Sequence, residues 1–268
     1  MTEYPTSIGT SDATSIQLLG HDLAGELMGQ LSFGDLAFWL VAQRRPTPGE
    51  LRVFETVLVA LADHGFTPSV IAARLTLTGA PESVQGALSA GLLGGGSRYL
   101  GVTEECGKFL AGALAAHEGP VPAAADDTGW DAIAASAVQA QRDSRRLVPG
   151  LGHPVHKELD PRTPVMFQIA AEEGLKGPHL TLFEAVGRVH PAILGRTLPL
   201  NGAGVCGATL ADLGFHPDTL RGFALLARTA GLLGHLAEEM RRPAGPGIYS
   251  QAEHSVRYQP PAAPPPPE

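Results

Sequence analysis

Apolar residues recur along this chain at the spacing of an α-helix, so that each segment has one apolar face and one polar face. An apolar side chain at every third or fourth position is typical of amphipathic helices, because 3.6 residues complete one turn. No segment shows the convincing apolar–polar alternation of a strand. The pattern predicts an all-α fold with helices at 22–31, 34–43, 48–64, 68–77, 81–93, 103–117, 129–147, 162–174, 181–189, 204–213 and 217–240.

Two of these helices carry further local signals. The helix from 48 has Thr47 as a candidate N-cap, Pro48 at the first helical position and Glu50 placed to complete a capping box. The helix from 217 has a wide apolar stripe in which Arg228 is embedded, so we expect it to be buried. The stripe consists of Leu220, Phe223, Ala224, Ala227, Gly231, Leu233, Leu236, Ala237 and Met240.

The composition indicates a globular protein that does not bind nucleic acid. The chain has 268 residues, of which 44% are hydrophobic, enough for one large core or two unequal lobes. Its formal net charge is -8 and it has no lysine or arginine run, which argues against DNA or RNA as a partner. Cys106 and Cys206 are far apart and belong to no ligand motif, which predicts reduced cysteines, no metal site and a cytoplasmic setting.

Neither end of the chain has the pattern of a targeting or packed segment. Residues 1–15 are polar and lack the apolar stretch of a signal peptide, and charges or glycines interrupt the apolar runs elsewhere, so no membrane span is predicted. The segment 118–127 predicts an exposed connection. The tail at 258–268, rich in proline and alanine, predicts disordered or polyproline-like chain.

The strongest candidate for chemistry is the loop at 149–162, which reads PGLGHPVHKELDPR. Its glycines allow backbone to approach a ligand closely, and the imidazole of His153 can donate or accept a proton near neutral pH. Arg162 can hold a carboxylate with two hydrogen bonds. These groups together predict a site for an anionic substrate.

This loop resembles the loop that carries a substrate-binding histidine in the citrate synthase superfamily, and other segments follow in that family's order. They are DHG at 63–65, GLL at 91–93 continuing to GSRY at 96–99, LNGAG at 200–204 and ARTAG at 227–231. The set is most similar to the short lyase branch, which comprises citryl-CoA lyases and the C-terminal module of ATP-citrate lyase. The resemblance extends from about Thr6 to Tyr249.

The resemblance implies a two-lobed helical fold. A large lobe would be formed by 1–102 and 215–257, and a small lobe by 103–214. It also implies a homodimer in which Arg242 reaches into the partner's site. No tightly bound cofactor is implied, because coenzyme A enters as the thioester of an acyl-CoA substrate, together with a di- or tricarboxylate.

The resemblance also implies roles for individual residues. His64 and His153 would contact the central hydroxyl or carbonyl oxygen of the acid portion, and His153 would either polarise the carbonyl or take the hydroxyl proton. The arginines that would clamp substrate carboxylates are Arg162, Arg228 and Arg242. The loop residues whose backbone would recognise the adenine end of coenzyme A are Val148, Gly150, Leu151 and Gly152.

Two positions depart from the pattern of true synthases. Tyr99 stands where synthases have a catalytic histidine, and an aromatic residue there is usual in the lyase branch, so Tyr99 is a further candidate catalytic residue. Ala203 stands where the family has the aspartate that exchanges a proton with the acetyl methyl carbon. A positioned acid or base contributes roughly 10²- to 10⁴-fold to such a step, so its loss changes the expected mechanism.

Three explanations for Ala203 remain open. The enzyme cleaves its substrate with His153 acting on the hydroxyl, while water, Tyr99 or a carboxylate such as Glu158 or Asp160 protonates the enolate. Alternatively, it forms its enolate by decarboxylating a malonyl-type thioester, which needs no base at carbon. In the third, the chain is a non-catalytic homologue that acts through a partner. The first is our prediction: cleavage of citryl-CoA to acetyl-CoA and oxaloacetate, the reverse reaction, or a close analogue.

Overall fold

The computed structural model describes residues 3–261, and most of their regular structure is helical, which confirms the all-α prediction. The helices are α1 (Phe33–Ala42), α2 (Pro48–Ala62), α3 (Pro68–Gly79), α4 (Val84–Leu93), α5 (Val102–Ala115), α6 (Asp127–Asp143), α7 (Arg162–Glu172), α8 (Pro178–Leu194), α9 (Gly202–Asp212), α10 (Leu220–Arg241) and α11 (Gly245–Ser255). Within residues 3–261, no helix is both long enough and apolar enough to span a bilayer. Most of the predicted tail, residues 262–268, lies outside the described part.

A small antiparallel sheet near the N-terminus contradicts the expectation of no strands. It consists of β1 (Gly9–Ser11), β2 (Ile16–Leu18) and β3 (His21–Asp22), paired in that order. Leu19 and Gly20 form the two-residue turn between β2 and β3, and both have positive φ, 52° and 82°, as the twist of such a hairpin requires. Strands of two or three residues are too short for an alternating pattern to be visible in the sequence.

The helix predicted at 22–31 is also wrong, whereas α11 was not predicted. Only Leu23–Leu27 is helical there, as one turn of π-helix in which the Asp22 side chain accepts from the Gly25 N–H. The rest of the predicted range, 28–31, is not helical. The sequence at the start of α11, Gly245-Pro246-Gly247, gives the signals of a turn and so conceals the helix.

The predicted start of α2 is confirmed. The Thr47 hydroxyl accepts a hydrogen bond from the Glu50 N–H at 3.2 Å, and the Glu50 carboxylate accepts one from the Thr47 N–H at 2.8 Å. Arg44 also donates to this carboxylate, and its hydrogen bond is the largest cause that lowers the pKa of Glu50 to about 2. The reciprocal bonds are local, which is why the sequence predicts them correctly.

The described chain forms two compact units. Unit 1 comprises the chain up to residue 63 together with 96–227, and unit 2 comprises 64–95 together with the chain from 228. The lobe boundaries near 103 and 214 stay a prediction. In unit 1 the core includes the rings of Phe38, Phe54 and Phe223, with centroids of Phe38 and Phe54 at 5.4 Å and of Phe54 and Phe223 at 5.2 Å.

Unit 2 has its own small core between α3, α4 and the second part of α10. Its buried residues are Val70, Ala73, Leu77, Ala87, Leu232 and Leu236. The predicted stripe on α10 is partly wrong here, because Leu233 and Met240 are 46% and 59% exposed, whereas Leu232 is fully buried. Gly91 makes the close packing of α4 possible, since a Cβ there would lie 2.8 Å from Leu232.

Candidate active site

The residues predicted to act on a substrate fall in both units. Unit 1 contains His153, Tyr99, Arg162 and the loop 148–152. Unit 2 contains His64, Arg228 and Arg242. Each unit therefore contains one of the two predicted substrate-binding histidines.

In unit 1 the loop that carries His153 packs directly against the start of α9. Gly150 has φ of +84°, and a Cβ on it would lie 2.6 Å from the Phe183 ring. A Cβ on Gly204 would lie 2.6 Å from the Cα of Gly150. Glycine is required at both positions because backbone meets backbone and ring without room for a side chain.

Asn201 ties this loop to the N-terminus of α9. Its backbone N–H donates to Gly150 O at 2.8 Å, and its side-chain Nδ2 donates to Gly152 O at 2.8 Å. Its Oδ1 caps α9 by accepting from the Gly204 N–H at 2.8 Å. The Gly152 N–H in turn donates to Pro199 O at 2.8 Å. The two donors of the asparagine thus hold the loop, while its side-chain oxygen holds the start of α9.

The tautomer of His153 follows from its hydrogen bonds. Its Nδ1 accepts from the backbone N–H groups of Val155 and His156, at 3.1 and 3.0 Å. A backbone N–H can only donate, so Nδ1 carries no proton and the neutral ring carries its proton on Nε2. The His156 ring stacks on His153 with centroids 4.5 Å apart. A ring held in this way can polarise a carbonyl from Nε2, whereas Nε2 would first have to lose its proton before accepting one from a hydroxyl.

Asp160 is fully buried and accepts four hydrogen bonds. Its Oδ1 accepts from the Arg162 backbone N–H at 3.1 Å and from Arg162 Nε at 3.0 Å. Its Oδ2 accepts from Arg162 Nη2 and from the Gly202 N–H, both at 2.7 Å. Burial opposes ionisation, but the bonds from Arg162 and Gly202 outweigh it and hold the pKa of Asp160 well below its usual range. The carboxylate is therefore ionised and its oxygens are occupied.

Arg162 presents two different edges. Asp160 occupies the edge formed by Nε and Nη2, and Nη1 donates to Ala60 O at 3.2 Å. Among residues 3–261, no acceptor takes the remaining hydrogens of Nη1 and Nη2, and the side chain is 20% exposed. A guanidinium fixed along one edge keeps its end fork available for a second carboxylate.

Ala203 and Tyr99 lie at two further positions of interest in unit 1. Ala203 is the second residue of α9, and its methyl group packs against the core. No titratable group is therefore present at residue 203. Tyr99 lies in the turn before α5, where its N–H donates to Gly96 O at 3.2 Å and its side chain is half-exposed.

In unit 2, His64 lies in the turn that follows α2. The turn depends on Gly65, which has φ of +70°. Arg228 is buried on α10, as the apolar stripe predicted. Arg242 is exposed just after α10, and its backbone N–H donates to Glu238 O at 2.7 Å.

Sequence reasoning missed the two residues that organise the site in unit 1. The sequence suggests Asp160 only as a proton donor to the enolate, whereas the structure pairs it with Arg162 and the Gly202 N–H. The sequence indicates Asn201 only as part of the LNGAG motif. Its contacts to the His153 loop lie 49 positions away in the chain, which no local pattern reveals.

Among solved structures, the chain is similar to citryl-CoA lyase from Hydrogenobacter thermophilus. The TM-score is 0.82 and the identity 28%, over 99% of this chain and 96% of that one. It is also similar to Methanosaeta concilii ATP citrate lyase in complex with (3S)-citryl-CoA, with a TM-score of 0.76 and 20% identity over 98% of this chain and 42% of that one. The second likeness is one of fold alone.

Among curated proteins, the chain is 24% identical to citrate synthase of Deinococcus radiodurans over 232 residues, which are 82% of this chain and 55% of that protein. It is 24% identical to the probable ATP-citrate synthase of Dictyostelium discoideum over 248 residues, or 85% of this chain and 37% of that protein. The chain thus spans about half the length of these relatives, or less.

The family is shown by a match over most of the chain. The family model described as citrate synthase, C-terminal domain, matches residues 12–247. That range includes the His153 loop, the start of α9 and the connection between α10 and α11 at 242–244, which we call the Arg242 turn. The chain belongs to the citrate synthase family.

Proposed function

We propose that this protein cleaves or forms the carbon–carbon bond of citryl-CoA or a close analogue, with acetyl-CoA and oxaloacetate as the smaller reactants. The observation that carries the proposal is the likeness to the H. thermophilus citryl-CoA lyase, which covers 99% of this chain and 96% of that one. By contrast, the match to D. radiodurans citrate synthase covers only 55% of that enzyme.

Cleavage requires three events. The hydroxyl on the central carbon gives its proton to a bound water, the carbon–carbon bond breaks with its electrons moving into the thioester, and the resulting enolate gains a proton at carbon to give acetyl-CoA. His153 donates from Nε2 to the oxygen that becomes the carbonyl of oxaloacetate, and His64 binds the same oxygen. Donors aimed at an oxygen whose charge changes are an effective means of lowering a barrier.

The substrate's carboxylates bind the arginines. Arg162 offers its end fork, while Asp160 holds the opposite edge. Arg228 and Arg242 bind the other carboxylates, with Arg242 acting in the partner's site of a homodimer. The backbone at 148–152 receives the adenine end of coenzyme A. A cytoplasmic location stays a prediction.

The proton for the enolate carbon comes from water or Tyr99 in this proposal. Asp160 is a poor candidate, because its oxygens already accept four hydrogen bonds and its pKa lies well below the usual range. Glu158 is exposed on the loop, so no burial raises its pKa toward that of a proton donor.

The direct test is an assay of the purified protein with citryl-CoA. We expect release of oxaloacetate, followed through the oxidation of NADH by added malate dehydrogenase. Malonyl-CoA with oxaloacetate serves as the comparison substrate, because a decarboxylating enzyme would consume that pair instead. Coenzyme A binding without oxaloacetate release would contradict the proposal.

Ala203 favours a second candidate, a homologue with altered or no activity, and Ala203→Asp separates the two. We expect this variant to release oxaloacetate at least tenfold faster than the wild type, because a positioned acid contributes about 10²- to 10⁴-fold. The first turn of α9 suits a carboxylate, since the helix dipole stabilises it. The measurement is the initial rate with citryl-CoA.

Ala203→Asn is the matched control, since it has the same shape and cannot transfer the proton. If the wild type is active and Ala203→Asp, but not Ala203→Asn, releases oxaloacetate faster, the result supports the lyase. A gain from an inert wild type would favour the altered or inactive homologue.

A further inference from the structure

Arg74, on α3, is a buried cation at the centre of unit 2. Its side chain is only 1% exposed, and Nη1 donates to Glu239 Oε2 at 2.7 Å. Nη2 donates to the Glu238 carboxylate and to His235 Nδ1, the latter at 2.8 Å. Arginine can only donate, so Nδ1 of His235 accepts and the neutral ring carries its proton on Nε2. The guanidinium is thus fixed by three side chains of α10.

Phe66 connects this cation to the His64 turn. The ring centroid of Phe66 lies 4.7 Å from Arg74 Cζ, and the ring meets that of His235 edge-on at 5.8 Å. Phe66 follows His64 by two residues, across Gly65, whose positive φ forms the turn. A ring that stacks on a guanidinium restricts the chain that carries it, and Phe66 therefore holds the turn on α3 and α10.

Glu239 connects the same cation to the Arg242 turn. Its Oε1 accepts from the Gly245 N–H at 2.7 Å, and its Oε2 accepts from the Ala244 N–H at 3.0 Å as well as from Arg74. The carboxylate thus spans the end of α10 and the start of α11, with Arg242 between them. The start of α11 lies very close to α3, since a Cβ on Gly245 would meet the Thr78 hydroxyl.

We infer that Arg74 is a positioning residue that holds both the His64 turn, through Phe66, and the Arg242 turn, through Glu239. The inference rests on the proposed function, in which His64 and Arg242 bind the substrate. A buried ion pair is often only structural. Here two of the groups that contact the guanidinium, Phe66 and Glu239, each fix a segment with a predicted substrate-binding residue, and those segments are distant in the chain.

Phe66→Leu is the most selective test, because Phe66 is exposed and its loss leaves no buried charge unpaired. The readout is the dissociation constant for oxaloacetate, measured by titration calorimetry on the full-length protein, since binding does not depend on turnover. We expect Phe66→Leu to weaken binding about fivefold, the typical effect of one misplaced hydrogen bond. Phe66→Tyr keeps the stacked ring and should restore binding.

A double-mutant cycle separates positioning from general destabilisation. Phe66→Leu should have no further effect in a His64→Ala background, and Glu239→Gln should have none in an Arg242→Ala background. Tyr249→Leu, an exposed aromatic on α11, is the matched control and should leave binding unchanged. If Glu239→Gln does not fold, Glu239→Asp takes its place, because it keeps the charge but shortens the reach to the Ala244 and Gly245 N–H groups.

The inference is overturned if Phe66→Leu weakens oxaloacetate binding equally in the wild-type and His64→Ala backgrounds, or weakens it in neither. It is also overturned if the wild type does not bind oxaloacetate. A wild type that binds oxaloacetate but leaves citryl-CoA intact contradicts the proposed function instead, and the cycle still tests the positioning role.

Discussion

His153→Ala is expected to lower kcat/KM for citryl-CoA cleavage by about 10³-fold, within the range for a group that directs a proton or hydrogen bond to the reacting atom. The wild-type ring accepts at Nδ1 from two backbone N–H groups and therefore carries its proton on Nε2, which in the proposed function donates to the substrate oxygen. Alanine removes this donor and the acceptor of those two N–H groups, while Asn201 still holds the loop at Gly150 and Gly152. The measurement is the initial rate of oxaloacetate release across citryl-CoA concentrations.

His156→Ala is the matched control for His153→Ala. It removes the imidazole that stacks on His153 but keeps the backbone N–H that donates to Nδ1. We expect a loss of less than tenfold, because the tautomer of His153 is preserved. Comparable losses in the two variants would contradict the special role assigned to His153.

Asp160→Asn is expected to lower the free energy of unfolding by about 3–5 kcal/mol, the usual range when one partner of a buried ion pair is removed. Asparagine is uncharged and has one acceptor oxygen. It therefore cannot accept from Nε and Nη2 of Arg162 and also from the Gly202 N–H. The variant leaves the guanidinium without its counter-ion and weakens the start of α9. Urea unfolding at pH 7, followed by circular dichroism, measures the change.

The difference between wild type and Asp160→Asn should also depend on pH. The folded protein holds the pKa of Asp160 below the unfolded value of 3.8, so its contribution is fully present above that pH. It is lost as the pH falls through the lower pKa of the folded state. The stability difference should therefore stay constant from pH 8 to pH 5 and decrease only in stronger acid.

Glu184→Gln is the control for Asp160→Asn. It removes the charge of a half-exposed carboxylate that pairs with Lys176, and we expect a change below about 1 kcal/mol because solvent screens such pairs. If Asp160→Asn is as mild as Glu184→Gln, the buried pair does not have the structural role assigned to it.

Local sequence was sufficient for most helices and for one of their starts. The apolar spacing predicted α1 to α10 approximately, and Thr47, Pro48 and Glu50 located the first turn of α2 because each capping bond joins residues three apart. The short sheet and α11 were missed. Two or three residues cannot show an alternating pattern, and glycine and proline at the start of α11 imitate a turn.

The organisation of the candidate site depended on contacts between distant residues. The loop sequence indicated that His153 and Arg162 have suitable chemistry, but only the folded loop reveals which nitrogen of His153 carries the proton. The edge of Arg162 that remains available likewise depends on Asp160 and on the carbonyl of Ala60. The hydrogen bond from Arg74 to Glu239 joins residues 165 positions apart. Helix periodicity and caps are determined by neighbours within a turn, whereas a tautomer, a buried ion pair or an available guanidinium edge depends on groups that only chain folding brings together.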